Sequence, residues 1–405
     1  MHGNKKSLTG NYAAAYGAKL ARVAITFLFP IGPSDEVAET MAQFYAQGEL
    51  PGRVIDLQFE RSTINAQWTA TQAGVRCLFA TNSEGLLVAE QQLVASAAQR
   101  VPLVIAVANR SISPPVVVVA DLQDTVMQRD TGWISFYCEN AQEVLDTTIQ
   151  AYRIAEDNEV RLPVFVCYDG WEVSHSVYPC VVPEQEAVDQ FLPPLSFGDG
   201  PDILNVDYAT LYNAKKDRPW KNYYMPMRYK LVHAMDVARE KIVTVGKEYH
   251  QKFGSPYYGL LEAVNVEGAD IVVVTMGGIT ATAKYALSLW DNEKIKVGLI
   301  KLRTLRPFPG AELSSLLRNV KVILVIERDI SAAVYHEVRD ALYDLDKRPK
   351  IIGRVAGIGG NDVTYFDFLR MIGEAKKAME GKGSVPPMDW HFESTQDLPE
   401  TRMED

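Results

Sequence analysis

Between residues 10 and 170 the sequence alternates short apolar runs with amphipathic stretches. The apolar runs are Ala24–Phe29, Arg53–Leu57, Arg76–Ala80, Leu103–Ala108 and Pro163–Cys167. Each is largely continuous rather than alternating with polar residues, the pattern of strands buried on both faces. Between them, Ser34–Ala46, Ser62–Ala73, Glu84–Ala98 and Ala141–Glu156 read as helices, as does Asn11–Arg22, with Ala, Leu and Tyr on one side. Strand–helix alternation of this kind predicts an α/β domain built on a parallel sheet with helices on both faces.

The pattern changes at Pro183. From there to about residue 226 the chain carries Pro183, Pro193-Pro194, Pro201, Pro219 and Pro226 among aromatic and charged residues. This reads as a wrapping linker with one short helix at Glu184–Phe191, closing a first domain of residues 1–226. Met227–Phe253 predicts a long amphipathic helix. A second α/β block follows, with strands at Asp270–Thr275, Lys296–Leu302 and Lys321–Glu327 and a helix at Thr280–Leu289, giving a second domain of residues 227–383. Residues 384–405, Pro- and acid-rich, predict a tail that is extended or packed on a partner.

Bulk properties narrow the class. With 405 residues, 47% hydrophobic and 23% charged, the chain can bury a substantial core. A formal net charge of −10 argues against a nucleic-acid-binding face. No apolar run approaches the roughly 20 residues of a membrane helix, and Met1–Ser7 lacks an apolar stretch after its charges, so no signal peptide is expected. Cys77, Cys138, Cys167 and Cys180 form no Cys-x-x-Cys pair, which argues against a zinc or iron–sulfur site held by this chain alone and fits a reducing cytoplasm. The six histidines form no His-x-x-x-His pair. Glu172-x-x-His175 stands alone in a β-branched stretch, so no metal site is expected.

Candidate chemistry lies where strands end, because ligands of open α/β sheets sit at the carboxyl ends of strands. Phe29-Pro30-Ile31-Gly32-Pro33-Ser34 makes a stiff turn into a helix, with Ser34 as candidate cap. Glu60 follows the second strand. It reads either as a helix-start acid complementing the macrodipole or as a carboxyl dry enough to hold a ring nitrogen's proton. Arg110 ends the strand Leu103–Ala108. It suits a bidentate clamp on a substrate carboxylate, or equally a pair with an acid such as Asp121. Val116-Val117-Val118-Val119 after two prolines reads as a short buried strand or as an apolar lid. Gly198-Asp199-Gly200 resembles the opening of a thiamine-diphosphate magnesium motif, but Pro201 follows at once and Asn222 closes no strand–helix unit, so the motif is rejected. Gly357-Ile358-Gly359-Gly360 reads as a packing turn rather than a phosphate cradle.

Taken in order, these turns together with Thr9-Gly10-Asn11, Gln128-Arg129-Asp130-Thr131-Gly132-Trp133, Leu192-Pro193-Pro194 and Arg303-Thr304-Leu305-Arg306-Pro307-Phe308-Pro309 form a series. It resembles the α subunit of the 2-oxoacid:ferredoxin oxidoreductases, the pyruvate:ferredoxin oxidoreductase type, over residues 8 to 380. The resemblance implies a thiamine-diphosphate pyrimidine-binding domain followed by a transketolase C-terminal-like domain. It implies oxidative decarboxylation of a 2-oxo acid to an acyl-CoA, with electrons passed to iron–sulfur clusters and coenzyme A as co-substrate. Thiamine diphosphate would be shared with a β subunit that holds the diphosphate and Mg2+. The [4Fe-4S] clusters would lie in partners, which include a γ subunit, a ferredoxin-like subunit and, where NAD is the acceptor, a flavin subunit. Glu60 matches the glutamate on the aminopyrimidine, where a carboxyl at the ring nitrogen favours the imino tautomer that deprotonates the thiazolium carbon. Pro30 and Ile31 would line the cofactor, and Arg110 matches the arginine that binds the substrate carboxylate.

Two departures bear on substrate. Pyruvate enzymes of this type carry a threonine, and the oxalate enzyme an arginine, where this chain has Gly32. The loop after Arg110 is here the apolar Pro114-Pro115-Val116-Val117-Val118-Val119-Ala120, with Val116 and Val117 as pocket candidates. An enlarged floor and an apolar lid predict a bulky or aryl 2-oxo acid such as phenylglyoxylate, with pyruvate as the alternative. A non-catalytic assembly subunit with a decayed pocket is the alternative of another class, and Glu60 and Arg110 speak against it.

Overall fold

Every residue of Cys77–Thr81, Val104–Asn109, Ile134–Cys138 and Val164–Asp169 is buried. Strands with no exposed face must be covered on both, as the continuous apolar runs require. The computed structural model describes residues 3–196, 224–257, 259–291 and 294–391. In it these strands form the middle of a seven-stranded sheet. Its order is Thr304–Arg306, Ile134–Cys138, Val164–Asp169, Val104–Asn109, Cys77–Thr81, Ile25–Leu28 and Arg53–Asp56. All neighbours pair parallel except Thr304–Arg306, which runs antiparallel to Ile134–Cys138.

The order sets the place for a site. From Ile25–Leu28 the chain goes outward to Arg53–Asp56, then returns to Cys77–Thr81 on the other side. The turns leaving Ile25–Leu28 and Cys77–Thr81 therefore diverge and open a crevice at the carboxyl ends. Residues 29–34 and 82–84 border it.

The second block forms a six-stranded sheet ordered Met388–His391, Lys350–Ala356, Val322–Glu327, Ile271–Met276, Val297–Leu302 and Leu261–Val264, the last antiparallel. Alternate residues of its central strands point to opposite faces. Ile271, Val273, Leu299, Leu324 and Ile326 pack with Phe368, Met371 and Ile372 of the helix Tyr365–Glu380. Val272, Val274, Ile300, Ile323 and Val325 join the core that runs into the first sheet. The two sheets thus share one continuous apolar interior.

The helix expected at the start of the second domain, Tyr224–Phe253, lies against the first. Leu231 approaches Gly132 and Ala97, and Tyr249 donates to Asp146 of the helix Ala141–Ala155 at 2.9 Å. Polar contacts also fasten the blocks. Lys301 pairs with Glu143, and Arg303 Nε donates to Glu143 Oε1 at 2.8 Å. Arg328 Nη1 lies 2.6 Å from Asp169 Oδ2, and its Nη2 lies 2.6 Å from Glu172 Oε1.

Two expectations need correction and one needs refinement. Arg303–Pro309 is not a plain connection: its residues Thr304–Arg306 form the edge strand of the first sheet. Three residues are too short to show a strand period. Glu84–Ala98 is two helices, Glu84–Val88 and Glu90–Ala98, joined at Ala89. The tail does begin extended, but Met388–His391 packs on this chain itself, as a parallel strand added to the second sheet. The ribbon of Asn4–Leu8 with Tyr178–Val182 went unseen because the first strand carries Asn, two Lys and Ser and is mostly exposed. Residues 197–223, with Gly198-Asp199-Gly200 and Asn222, and residues 392–405 lie outside the described residues. No helix among the described residues is long and apolar enough to cross a membrane.

Candidate functional site

Three successive carbonyls of the first turn are held by three side chains from distant parts of the chain, two just past strands and one on the helix Gly10–Leu20. Asn82 Nδ2 donates to Ile31 O at 3.3 Å, Arg110 Nη1 to Gly32 O at 2.8 Å, and Asn11 Nδ2 to Pro33 O at 2.8 Å. Asn11 is itself pinned by the Tyr168 hydroxyl at 2.9 Å. Ser34 starts the helix Asp35–Ala46, but its hydroxyl does not cap it. The Oγ donates back to Ile31 O at 2.9 Å and receives Asn82 Nδ2 at the same distance. The turn is therefore a rigid rim, with Pro30 exposed and Ile31 and Gly32 half-buried. A Cβ at Gly32 would meet no atom within 4 Å, so the glycine faces open space.

Glu60 opens the helix Glu60–Gln72 and is 6% exposed. Its Oε1 lies so close to Gly85 that a Cβ there would come within 2.8 Å. A side chain at 85 would press on Thr81 Oγ1 and would require this carboxyl to shift. Burial raises the pKa of Glu60 above the usual 4.5, its own backbone N–H works against this, and the negative charge of Glu84 adds to it. No side-chain donor pairs with Glu60 among the described residues.

Arg110 is half-buried at the end of Val104–Asn109. Its acidic neighbour is Glu84, with Nη2 3.5 Å from Oε2, rather than Asp121. Glu84 also accepts the Ser113 N–H at 2.7 Å and the Ser83 hydroxyl at 2.6 Å. Burial alone would raise the pKa of Glu84, but these bonds hold it down at about 2.

The Val116–Val119 stretch is not a buried strand. It has no regular structure, with Val116 80% exposed and Val118 44%. The loop is tied at its ends instead. Val119 O accepts Ser111 N at 3.0 Å, and Val117 O lies 3.4 Å from Arg110 Nε. Val119 packs on Gly360, where any Cβ would collide with it, and Gly360 N donates to Ala120 O at 3.0 Å. The glycine turn of the second block is thus a packing surface for this loop, as expected.

Glu172 and His175 do not converge on a metal. Glu172 binds Arg328, whereas His175 stacks on Trp171 and lies 3.6 Å from Glu36. No metal-ligand cluster occurs among the described residues, and all four cysteines are free and buried. The structure brings Gly32, Glu60 and Arg110 to one crevice. It adds Asn82 and Glu84 at the crevice and, buried beneath Arg110, Asp124, all of which sequence reasoning missed. The strand-end rule that flagged Glu60 applies equally to Asn82-Ser83-Glu84 after Cys77–Thr81. Asp124 gives no such signal, since it follows an irregular loop.

The family described as "Pyruvate flavodoxin/ferredoxin oxidoreductase, thiamine diP-bdg" matches residues 16–247, and "Pyruvate:ferredoxin oxidoreductase core domain II" matches residues 269–368. The pyruvate synthase subunit PorA of Pyrococcus abyssi is 38% identical over 95% of this chain and 96% of its own. The PorA of Methanosarcina barkeri is 35% identical over 91% and 92%. The ketoisovalerate oxidoreductase subunit VorA of Pyrococcus horikoshii is 35% identical over 96% and 98%. Among solved structures, a 2-oxoglutarate:ferredoxin oxidoreductase from Magnetococcus marinus superposes with a TM-score of 0.69. It covers 92% of this chain and 65% of that one at 18% identity, a likeness of fold.

Proposed function

The chain belongs to the pyruvate flavodoxin/ferredoxin oxidoreductase family, among the α subunits of 2-oxoacid:ferredoxin oxidoreductases, and from that membership we propose that it supplies the acid and the carboxylate-binding arginine of a shared thiamine-diphosphate site acting on a bulky, apolar 2-oxo acid. The observation that carries the reading is the state of Glu60: a buried carboxyl with raised proton affinity, no side-chain donor, and room made for it by Gly85. That is the environment an aminopyrimidine nitrogen needs from an acid. When bound, thiamine diphosphate supplies the carbon that stabilises the negative charge left by decarboxylation.

Each residue of this chain then has a task. Glu60 keeps a proton at its carboxyl for the ring nitrogen. Pro30 and Ile31 form the wall beside the ring. Arg110 orients the 2-oxo acid through its carboxylate, and the Gly32 carbonyl fixes one edge of the guanidinium. Gly32 leaves space for a large side chain, with Val116 and Val117 covering it. Burying a phenyl or branched alkyl group there contributes roughly 1.5–3 kcal/mol.

The remainder of the reaction falls to partners. A β subunit holds the diphosphate and Mg2+, iron–sulfur clusters take two electrons, and coenzyme A takes the acyl group. Exposed Phe59 before Glu60, Val88 at the end of the helix Glu84–Val88, and Val116 and Val118 on the loop after Arg110 fit a subunit interface. A γ subunit and a ferredoxin-like subunit complete a cytoplasmic assembly, with ferredoxin, or NAD through a flavin subunit, as acceptor. Phenylglyoxylate is the leading substrate. Pyruvate is the second reading, favoured by the pyruvate synthase subunits among the relatives. Steady-state kinetics of the purified complex decide between them: phenylglyoxylate should give the higher kcat/KM, and pyruvate turnover equal or greater ends the aryl reading.

A further inference from the structure

Beneath Arg110 lies a carboxylate that touches neither the crevice nor solvent. Asp124 is fully buried. Its Oδ2 accepts the backbone N–H of Ser83 at 2.9 Å and that of Arg110 at 3.0 Å. Its Oδ1 accepts Asn109 Nδ2 at 2.7 Å and the Thr125 N–H at 2.8 Å. One carboxylate thus spans the ends of two neighbouring strands, Cys77–Thr81 and Val104–Asn109, and fixes the spacing of the loops that leave them.

Ser83 has φ 47° and ψ −126°, a conformation that residues with a Cβ rarely adopt. It is held there at both ends: by its N–H on Asp124, and by its hydroxyl, whose one proton lies between two acceptors, Ser111 O and Glu84 Oε2, each 2.6 Å away. The kink turns Glu84, the next residue, back across the strand ends. Glu84 then meets the Ser113 N–H and faces Arg110. Strain held by specific bonds beside a candidate site points to a role in that site.

We propose that Asp124 is a positioning residue for Arg110, acting directly on its backbone and indirectly through Ser83 and Glu84. Asp124 fixes where the Arg110 chain leaves the strand. The kink it holds at Ser83 delivers Glu84, which steadies the guanidinium and fastens the root of the Ser113–Val119 loop. The inference rests on the reading of Arg110 as the clamp for a substrate carboxylate.

The test uses the assembled complex with Asp124→Asn, Glu84→Gln, the double variant, and Arg110→Met as reference. Asparagine keeps the shape of Asp124 but sets an NH2 against N–H donors. Asp124→Asn should raise KM for the 2-oxo acid at least tenfold while kcat stays within threefold. Amide exchange of residues 110–120 should become faster in the same complex without substrate. If Asp124 works partly through Glu84, the double variant raises KM by clearly less than the product of the two single effects. Unchanged KM and exchange in Asp124→Asn overturn the proposal. So does a loss of kcat with no change in KM, or strictly multiplicative effects in the double variant. Should Asp124→Asn fail to assemble, Glu84→Gln carries the test alone: unchanged KM and exchange overturn the proposal. If Arg110→Met leaves KM unchanged, the clamp reading itself fails. If Arg110→Met raises KM and Asp124→Asn does not, only the positioning role fails.

Discussion

Arg110 donates to the backbone carbonyl of Gly32 at 2.8 Å, across 78 residues of chain. The bond joins the two positions proposed to meet the substrate. Because it uses the carbonyl, it survives a change of side chain at 32. The pocket floor can therefore be altered without releasing the arginine.

Gly32→Thr should shift preference toward the smaller acid. The new side chain enters open space, so it fits without displacing neighbours. It takes volume from a large substrate side chain and offers a hydroxyl to a small one. The ratio of kcat/KM for phenylglyoxylate over pyruvate should fall at least about tenfold, which is about 1.4 kcal/mol. The check is paired steady-state kinetics of the two complexes, and an unchanged ratio contradicts the pocket assignment.

Arg328→Met should loosen the joint between the blocks. Arg328 is fully buried between Asp169 and Glu172, and its Nε also donates to Gly357 O at 3.0 Å. Burial opposes its charge, but the two carboxylates outweigh burial and raise its pKa. Removing the cation leaves Asp169 buried and short of its partner. Breaking a buried pair in this way costs about 3–5 kcal/mol. Denaturant unfolding should report a loss of that size, against little change for Arg129→Met, whose partner Asp130 is exposed.

Much of this was legible before the structure. Cys77–Thr81, Val104–Asn109 and Val164–Asp169 announce themselves as continuous apolar runs, whereas the equally buried Ile134–Cys138 does not figure among the expected strands; Glu60 and Arg110 follow two of the expected strands. Val116–Val119 misled in one reading, because four β-branched residues suit a strand. Two prolines precede them, and the strands they would join already have partners, so they remain a loop. Asp124 was illegible for a different reason. Its importance lies in accepting N–H groups from Ser83 and Arg110, 41 and 14 residues away. No local pattern encodes such a contact.

Glu60 should titrate above an ordinary glutamate. Burial and the charge of Glu84 raise its folded pKa over 4.5. The folded chain then binds this proton more tightly than the unfolded chain. The linked stability is fully present below the unfolded pKa and is lost as pH rises through the folded one. Glu60→Gln removes the ionisable group, so its gain in stability over the parent should be larger at pH 8 than at pH 4. Thermal unfolding at both pH values checks the sign. Isotope-edited infrared titration of the carboxyl should also show the midpoint fall in Glu84→Gln.

Turnover of the assembled complex carrying Glu60→Gln, with subunit composition verified in the same preparation, is the most direct measurement. A carboxyl that holds the proton for the pyrimidine should be worth at least about 100-fold. Activity should therefore fall by that factor or more while every subunit remains bound. An intact complex that turns over at the parent rate would contradict the assignment of Glu60 to the chemistry of this chain.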